Sequence, residues 1–157
     1  MQFLLATHMA TFDPFKFSGA WYEVASYKAG FSPLSAYTCI DTRGVYEYDS
    51  EKERFDVQLA CRHLDRKVST IKALMLCNGS TCSVRYPSAP YVQPSMFHIL
   101  DTDYDTWAIV EGAEDKSFVQ LLSRYSRPGL KTTEAKIRTL KEWGYDPDEI
   151  HLTPVSS

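Results

Sequence analysis

Asp101-Thr102-Asp103-Tyr104-Asp105-Thr106-Trp107-Ala108-Ile109-Val110 is a tight turn feeding a strand. Phe97-His98-Ile99-Leu100 enters it as a short apolar run, and Trp107 to Val110 leaves it as another. Clustered Asp and Thr side chains bond to nearby backbone groups and so favour a turn over a continued ladder. The stretch reads as a β-hairpin, and the rest of the chain can be arranged around it.

Upstream, Gly19-Ala20-Trp21-Tyr22-Glu23-Val24-Ala25-Ser26-Tyr27 reads as the first strand, after the polar and aromatic lead-in Phe12-Asp13-Pro14-Phe15. Lys28 to Tyr37 holds Gly30 and Pro33 between Phe31 and Leu34, the composition of a loop with apolar tips that can act as a lid. Thr38 to Tyr48 and Arg54 to Cys61 form the next pair. The second of these alternates strictly, with Phe55, Val57, Leu59 and Cys61 on one face and Arg54, Asp56, Gln58 and Arg62 on the other. Lys67 to Cys77, Thr81 to Tyr86, Ser95 to Leu100, Trp107 to Glu111 and Phe118 to Arg124 follow, joined by short connections. Eight such candidates in a row predict an antiparallel meander. Near the end, Thr132-Thr133-Glu134 is a helix-start signature, and an amphipathic helix is expected over Thr133 to Trp143, stopped by Gly144. Glu149 to Leu152 then makes a short edge strand.

A chain of 157 residues is the size of one domain, burying roughly 70% of the surface its unfolded form exposes. We delimit a single domain over 12–153, an N-terminal extension over 1–11 and a C-terminal tail over 154–157. A net charge of -3 gives no electrostatic footprint for nucleic acid. The apolar run Phe3-Leu4-Leu5-Ala6 is too short for a signal h-region or a membrane span. Of the four cysteines, Cys77 and Cys82 flank the turn-like Asn78-Gly79-Ser80-Thr81, where a bridge across a hairpin is geometrically reasonable; free thiols in a reducing compartment are the alternative. Asn78-Gly79-Ser80 also fits a glycosylation sequon.

A meander of eight strands must hide two outer edges, and closing it into a barrel removes both, although a sandwich satisfies the same strand count. The fold expected is all-β: an eight-stranded antiparallel up-and-down barrel with one C-terminal helix packed outside and a short ninth strand. Here a family resemblance adds to the pattern. Gly19-Ala20-Trp21-Tyr22-Glu23, Thr102-Asp103-Tyr104 and Ser123-Arg124 resemble the three motifs of the lipocalins, in order, and the likeness spans Phe12 to about Leu152. The lead-in and first strand look most like apolipoprotein D, crustacyanins and bacterial lipocalins, and the Asp101 to Thr106 turn is similar to that of retinol-binding lipocalins. The resemblance implies a barrel closed at the motif end and open at the other, carrying a small hydrophobic molecule such as a retinoid, fatty acid, sterol or tetrapyrrole. It gives Gly19, Trp21, Thr102, Asp103, Tyr104 and Arg124 structural jobs: Trp21 plugs the closed end beneath the Arg124 guanidinium.

Strand alternation then nominates an inner, ligand-facing set: Tyr46, Tyr48, Phe55, Val57, Leu59, Val84, Tyr86, Phe97, Ile99, Ala108, Val110, Phe118 and Gln120, with Phe31, Leu34 and Tyr37 at the mouth. The alternative is that several of these side chains fill the barrel. A bulge would reverse the assignment downstream of it, and Gly44 is the place we expect one. An enzyme acting on a hydrophobic substrate, an isomerase or epoxide-modifying type, is the competing class; Cys61 on the inner face is either its nucleophile or a small apolar wall residue. No catalytic constellation is otherwise visible. His63 and His98 are the central histidines, and no Cys or His pair has the spacing of structural zinc, so no metal or cofactor is expected. The remaining expectations are a monomer or weak homodimer with no transmembrane segment, and a secreted or extracytoplasmic location with a cytoplasmic one still open.

Overall fold

Nine strands run in chain order through the computed structural model, which describes residues 11–27, 39–63, 65–112 and 118–156. They are β1 (Gly19–Tyr27), β2 (Ile40–Asp49), β3 (Arg54–Arg62), β4 (Val68–Asn78), β5 (Thr81–Arg85), β6 (Ser95–Thr102), β7 (Trp107–Gly112), β8 (Val119–Ser123) and β9 (Ile150–Leu152). Every pairing is antiparallel, in the order β2-β3-β4-β5-β6-β7-β8-β1-β9, and β1 also pairs with β2. That last pairing closes the sheet, so the barrel is observed and the sandwich is not. The lid segment between β1 and β2, with Phe31, Leu34 and Tyr37, lies outside the described residues.

Closure depends on where the strands bend. Gly44, expected to carry a bulge, instead sits in regular register opposite Trp21 and Leu59. A Cβ on it would lie 2.9 Å from the Tyr46 ring and 3.0 Å from the Leu59 side chain, so glycine is needed there for close packing. The register shifts fall between Ile40 and Arg43, between Ile99 and Asp101, and between Glu23 and Ala25. The last one divides β1: Gly19 to Tyr22 pair with β2, while Ala25 to Tyr27 pair with β9. Residues after β9 then span the gap this leaves, the Thr153 N–H donating to the Val24 carbonyl (2.8 Å) and the Asp41 N–H to the Pro154 carbonyl (3.0 Å). The Ser156 N–H adds a bond to the Asp41 carboxylate (2.8 Å).

Two helices attach to this barrel. The polar and aromatic lead-in, given no secondary structure from the sequence, contains a one-turn helix α1 (Pro14–Phe17). Asp13 caps it by accepting from the Phe15 and Lys16 N–H groups, and Pro14 needs no hydrogen bond at its first position. The second helix, α2 (Leu130–Glu142), begins three residues before the Thr133 start expected from sequence. Gly129 occupies its N-cap without a side-chain bond, and Thr133 instead lies inside the first turns, its hydroxyl donating back to the Gly129 carbonyl (3.1 Å). Gly144, at φ 100°, ends the helix: its N–H donates to Lys141 and that of Tyr145 to Leu140, both at 3.0 Å. This is the paired-bond C-terminus for which glycine is favoured.

Two apolar cores result, one on each side of the wall. Leu140 and Tyr145 from the helix end pack with Leu100, Ile109, Val119, Leu121 and Ala25 on the outer face. The Tyr145 hydroxyl donates to Glu111, which pins that turn to β7. Inside the barrel, Phe17, Trp21, Phe55, Met75, Ile99, Ala108 and their neighbours form the larger cluster.

The closed end is held by Arg124. Its guanidinium carbon lies 3.7 Å above the Trp21 ring centroid, and its nitrogens donate to the carbonyls of Tyr104 (2.9 Å), Ala20 (2.9 Å), Lys16 (3.0 Å) and Phe17 (3.3 Å). Trp21 is fully buried and donates its indole N–H to the Phe17 carbonyl (2.9 Å). We expect Arg124→Ala to destabilise the chain by about 2–4 kcal/mol, the combined loss of a desolvated cation–π contact and several charged hydrogen bonds. Arg124→Lys should recover under half of that, since an ammonium cannot reach the same carbonyls in one plane. Urea unfolding midpoints would check both.

Candidate functional site

The barrel interior has a floor, a wall and a small polar group. The floor is aromatic: Phe17 stacks with Trp21 at 5.2 Å between centroids and meets Tyr46 (5.5 Å) and Phe55 (6.2 Å) edge-on. Tyr48 approaches Phe55 at 5.1 Å, and Phe12 covers Phe17 from below at 5.4 Å. Three residues nominated as ligand-facing, Tyr46, Tyr48 and Phe55, therefore belong to the floor, together with Phe12 and Phe17, which strand alternation did not bring in because they precede the first strand.

Around and above the floor the wall mixes small and large apolar side chains. Cross-strand register places Tyr46, Val57 and Ala73 in one row and Gly44, Leu59 and Ile71 in the next toward the open end. Val84, Tyr86, Phe97, Ile99, Ala108, Val110 and Phe118 complete the wall, all buried in the same cluster. The β4 contribution, Ala73 and Met75, was legible as an alternation through Ile71, Ala73, Met75 and Cys77 but had not been drawn into the set. Gln120 is buried as well, and its amide donates to Glu23 (2.6 Å).

Glu23 is the polar feature that sequence reasoning passed over. Its carboxylate accepts from Gln120 and, on its other oxygen, from the Thr153 hydroxyl (2.7 Å), which reaches it through the gap in β1 pairing. Burial raises its pKa, and the two hydrogen bonds oppose the rise without cancelling it. Tyr46 is fully buried; burial, with Tyr86 and Glu23 facing it, raises its phenol too. Burial pushes the Tyr86 phenol up to about 12, with Ser95 beside it opposing. Beyond each other, the buried Tyr86 and Ser95 hydroxyls have no hydrogen-bond partner.

The turn that closes the floor is built as its composition implied. Asp103 accepts from the N–H groups of Thr106 (2.8 Å) and Trp107 (3.0 Å) and from the Thr106 hydroxyl. Burial alone would raise the Asp103 carboxyl, but the bonds from Thr106, Trp107 and Asp105 outweigh it and hold the carboxyl below its ordinary range. Thr102 donates to the Trp107 carbonyl and accepts from the Tyr104 N–H (2.9 Å). Tyr104, at φ 67°, receives the Asp13 N–H on its hydroxyl (3.0 Å) and so joins the turn to α1.

All four cysteines are paired. Cys77–Cys82 bridges facing positions of the β4–β5 hairpin, as its flanking turn suggested. Cys39–Cys61 was not anticipated: it ties the start of β2 to the end of β3 at the open end, packed against Leu59 and Ile71. Cys61 therefore has no free thiol, which corrects its reading as a possible nucleophile. His63 lies beside this disulfide and bonds Ser69 through its ring nitrogen (2.5 Å). His98 bonds Thr81 (3.0 Å) on the outer face. Cavities of about 280 and 230 Å³ lie outside the barrel under the first turns of α2, sharing Val24, Pro128 and Thr133. Lys136 sits at the larger one with its amine 3.3 Å from the Trp107 ring centroid.

An up-and-down barrel of eight strands, stoppered at one end by an indole under a guanidinium, defines a calyx-type protein. A family profile described as a lipocalin-like domain matches residues 12–155. The chloroplastic lipocalin of Arabidopsis thaliana is 34% identical over 163 residues, covering 91% of this chain, and the chain spans 46% of that protein's length. Temperature-induced lipocalin-1 of the same plant is 24% identical, covering 90% of this chain and 78% of that protein. Among solved structures, apocrustacyanin C1 superposes with a TM-score of 0.71 at 16% identity, over 90% of this chain and 79% of that one. Lobster apocrustacyanin A1 gives 0.71 at 18%, over 91% and 79%. The chain belongs to the lipocalin family.

Two measurements test this description. Glu23 binds its proton more tightly folded than unfolded, so its contribution to stability is complete below its ordinary value of 4.5 and is lost as pH rises through the higher folded value. Glu23→Gln should accordingly gain stability relative to the parent between pH 4 and pH 7, as read from urea unfolding at each pH. The disulfides differ in the loop they close, 22 residues for Cys39–Cys61 against 5 for Cys77–Cys82. Chain-entropy arithmetic gives about 3 and about 2 kcal/mol respectively, so Cys39→Ser/Cys61→Ser should lower the unfolding midpoint more than Cys77→Ser/Cys82→Ser.

Proposed function

We propose that this lipocalin binds a small hydrophobic molecule inside the barrel, for transport or sequestration, and that it is not an enzyme. The observation that supports the reading is the lining of the closed barrel. Its inward residues, from Val57 and Ala73 through Val84 and Phe97 to Val110 and Phe118, are almost all apolar, and an eight-stranded barrel can hold one small ligand. Val57, Leu59, Val84, Tyr86, Phe97, Ile99, Ala108, Val110, Phe118 and Gln120 then supply the contact surface, over Tyr46, Tyr48 and Phe55. Retinoids, fatty acids, sterols and tetrapyrroles have the apolar body this surface suits. Burying roughly 300 Å² of such a body at about 25 cal/mol per Å² gives about 7 kcal/mol, from which the ligand's lost freedom is subtracted. The catalytic alternative is weakened by the Cys39–Cys61 bond, which removes its sulfur nucleophile.

Two disulfides favour an oxidising compartment, and the name of the chloroplastic relative favours an organelle over secretion. No helix among the described residues is long and apolar enough to cross a membrane. Calorimetric titration with retinol and with palmitate tests the carrier reading: saturable binding is expected for the parent chain. Val57→Trp, which fills the interior, should weaken it at least tenfold, whereas Leu76→Trp on the exposed outer face should leave it unchanged. Equal binding in both variants would place the ligand elsewhere.

A further inference from the structure

Within the carrier reading, on which this rests, we infer that the barrel selects neutral oxygen-bearing ligands: an apolar body ending in a hydroxyl or carbonyl group held by the Tyr86 and Ser95 hydroxyls, and not a carboxylic acid.

The first observation is the pair of hydroxyls. Tyr86 follows β5 and is 3% exposed, and Ser95 opens β6 opposite Val84. Both stand at strand ends remote from the Arg124 floor, the two hydroxyls face each other, and neither buried oxygen has any other hydrogen-bond partner. A buried hydroxyl left unpaired is unfavourable, and one that can both donate and accept is satisfied by a ligand hydroxyl or carbonyl oxygen brought to it. An apolar ligand end would leave both unmet.

The second observation is charge. Among the described residues, the inner face carries one ionisable carboxylate, Glu23, no Lys or Arg, and at its rim His63, bonded to Ser69 beside the Cys39–Cys61 bridge. The basic side chains of the wall, Arg43, Arg54, Lys72 and Arg85, alternate with the inward residues Gly44, Phe55, Ala73 and Val84 and so lie outside. Glu23 is met by Gln120, Thr153 and Tyr46, none of which is a cation. A ligand carboxylate drawn into this space would leave water beside a second carboxyl group, with no counter-charge to offset the loss. An alcohol, aldehyde or ketone meets no such penalty.

Retinol, retinal and retinoic acid share one polyene body and differ only at the terminal group, so they separate the two questions. With the full oxidised chain at pH 8, we expect retinol and retinal to bind and retinoic acid to bind at least tenfold more weakly. Tyr86→Phe and Ser95→Ala, each removing one hydroxyl and little volume, should each reduce the advantage of retinol over retinoic acid severalfold. Glu23→Gln should strengthen retinoic acid binding while leaving retinal within about twofold. Retinoic acid binding as tightly as retinol to the parent chain would overturn the selectivity and leave the carrier reading standing. Saturable binding by none of the three would overturn the carrier reading itself, and the selectivity with it.

Discussion

One guanidinium holds the closed end of this barrel together. Arg124 lies immediately after β8, yet it bonds to carbonyls from α1, from the first residues of β1 and from the β6–β7 turn, and covers the indole of Trp21. Gly19 makes that approach possible: at φ 110°, a Cβ there would stand 2.9 Å from an Arg124 nitrogen. Residues 16–21 and Tyr104, far apart in the chain, thus meet on a planar cation with enough donors for both, which is why arginine suits the position and lysine does not. With that end tied, the aromatic residues beneath it seal the floor.

Toward the opposite end, β1 divides. Its first half closes the barrel against β2, and its second half turns away after the shift at Glu23 to pair with β9. A closed sheet has no free edge, whereas a split one exposes two. Here the chain's last residues lie across the split, bonding Val24 on one side and Asp41 on the other. The same segment sends Thr153 inward to Glu23, so the element that covers the seam also settles the one carboxylate facing the interior.

Interior polarity follows from the geometry of that seam. A carboxylate in an apolar barrel is unfavourable unless it is bonded, and Glu23 has a donor from the wall on one oxygen and from the C-terminal segment on the other. The Tyr86 and Ser95 hydroxyls face each other and are otherwise left unbonded by the protein. A core built for stability alone would satisfy or remove such hydroxyls, and their retention remote from the floor is the physical basis for assigning them to a ligand.

Much of this was readable from the chain alone. The strict period of two through Phe55, Val57 and Leu59, the Asp- and Thr-rich turn at 101–106 and the glycine that stops α2 each act over a few residues, so local chemistry was sufficient to determine strands, hairpins and the inward face. Only tertiary structure decided what depends on residues remote in sequence. Cys39 meets Cys61 because an irregularity between Ile40 and Arg43 sets the pairing of β2 with β3, and no spacing rule reveals a register shift in advance. Glu23 looked like one more strand residue until Gln120 and Thr153, 97 and 130 positions away, converged on it. The start of α2 was placed too late for a related reason: Thr133 has the chemistry of a cap, but packing of the preceding segment on the barrel let Gly129 take that place. Alternation tells which way a side chain points; only the closed barrel tells what it meets there.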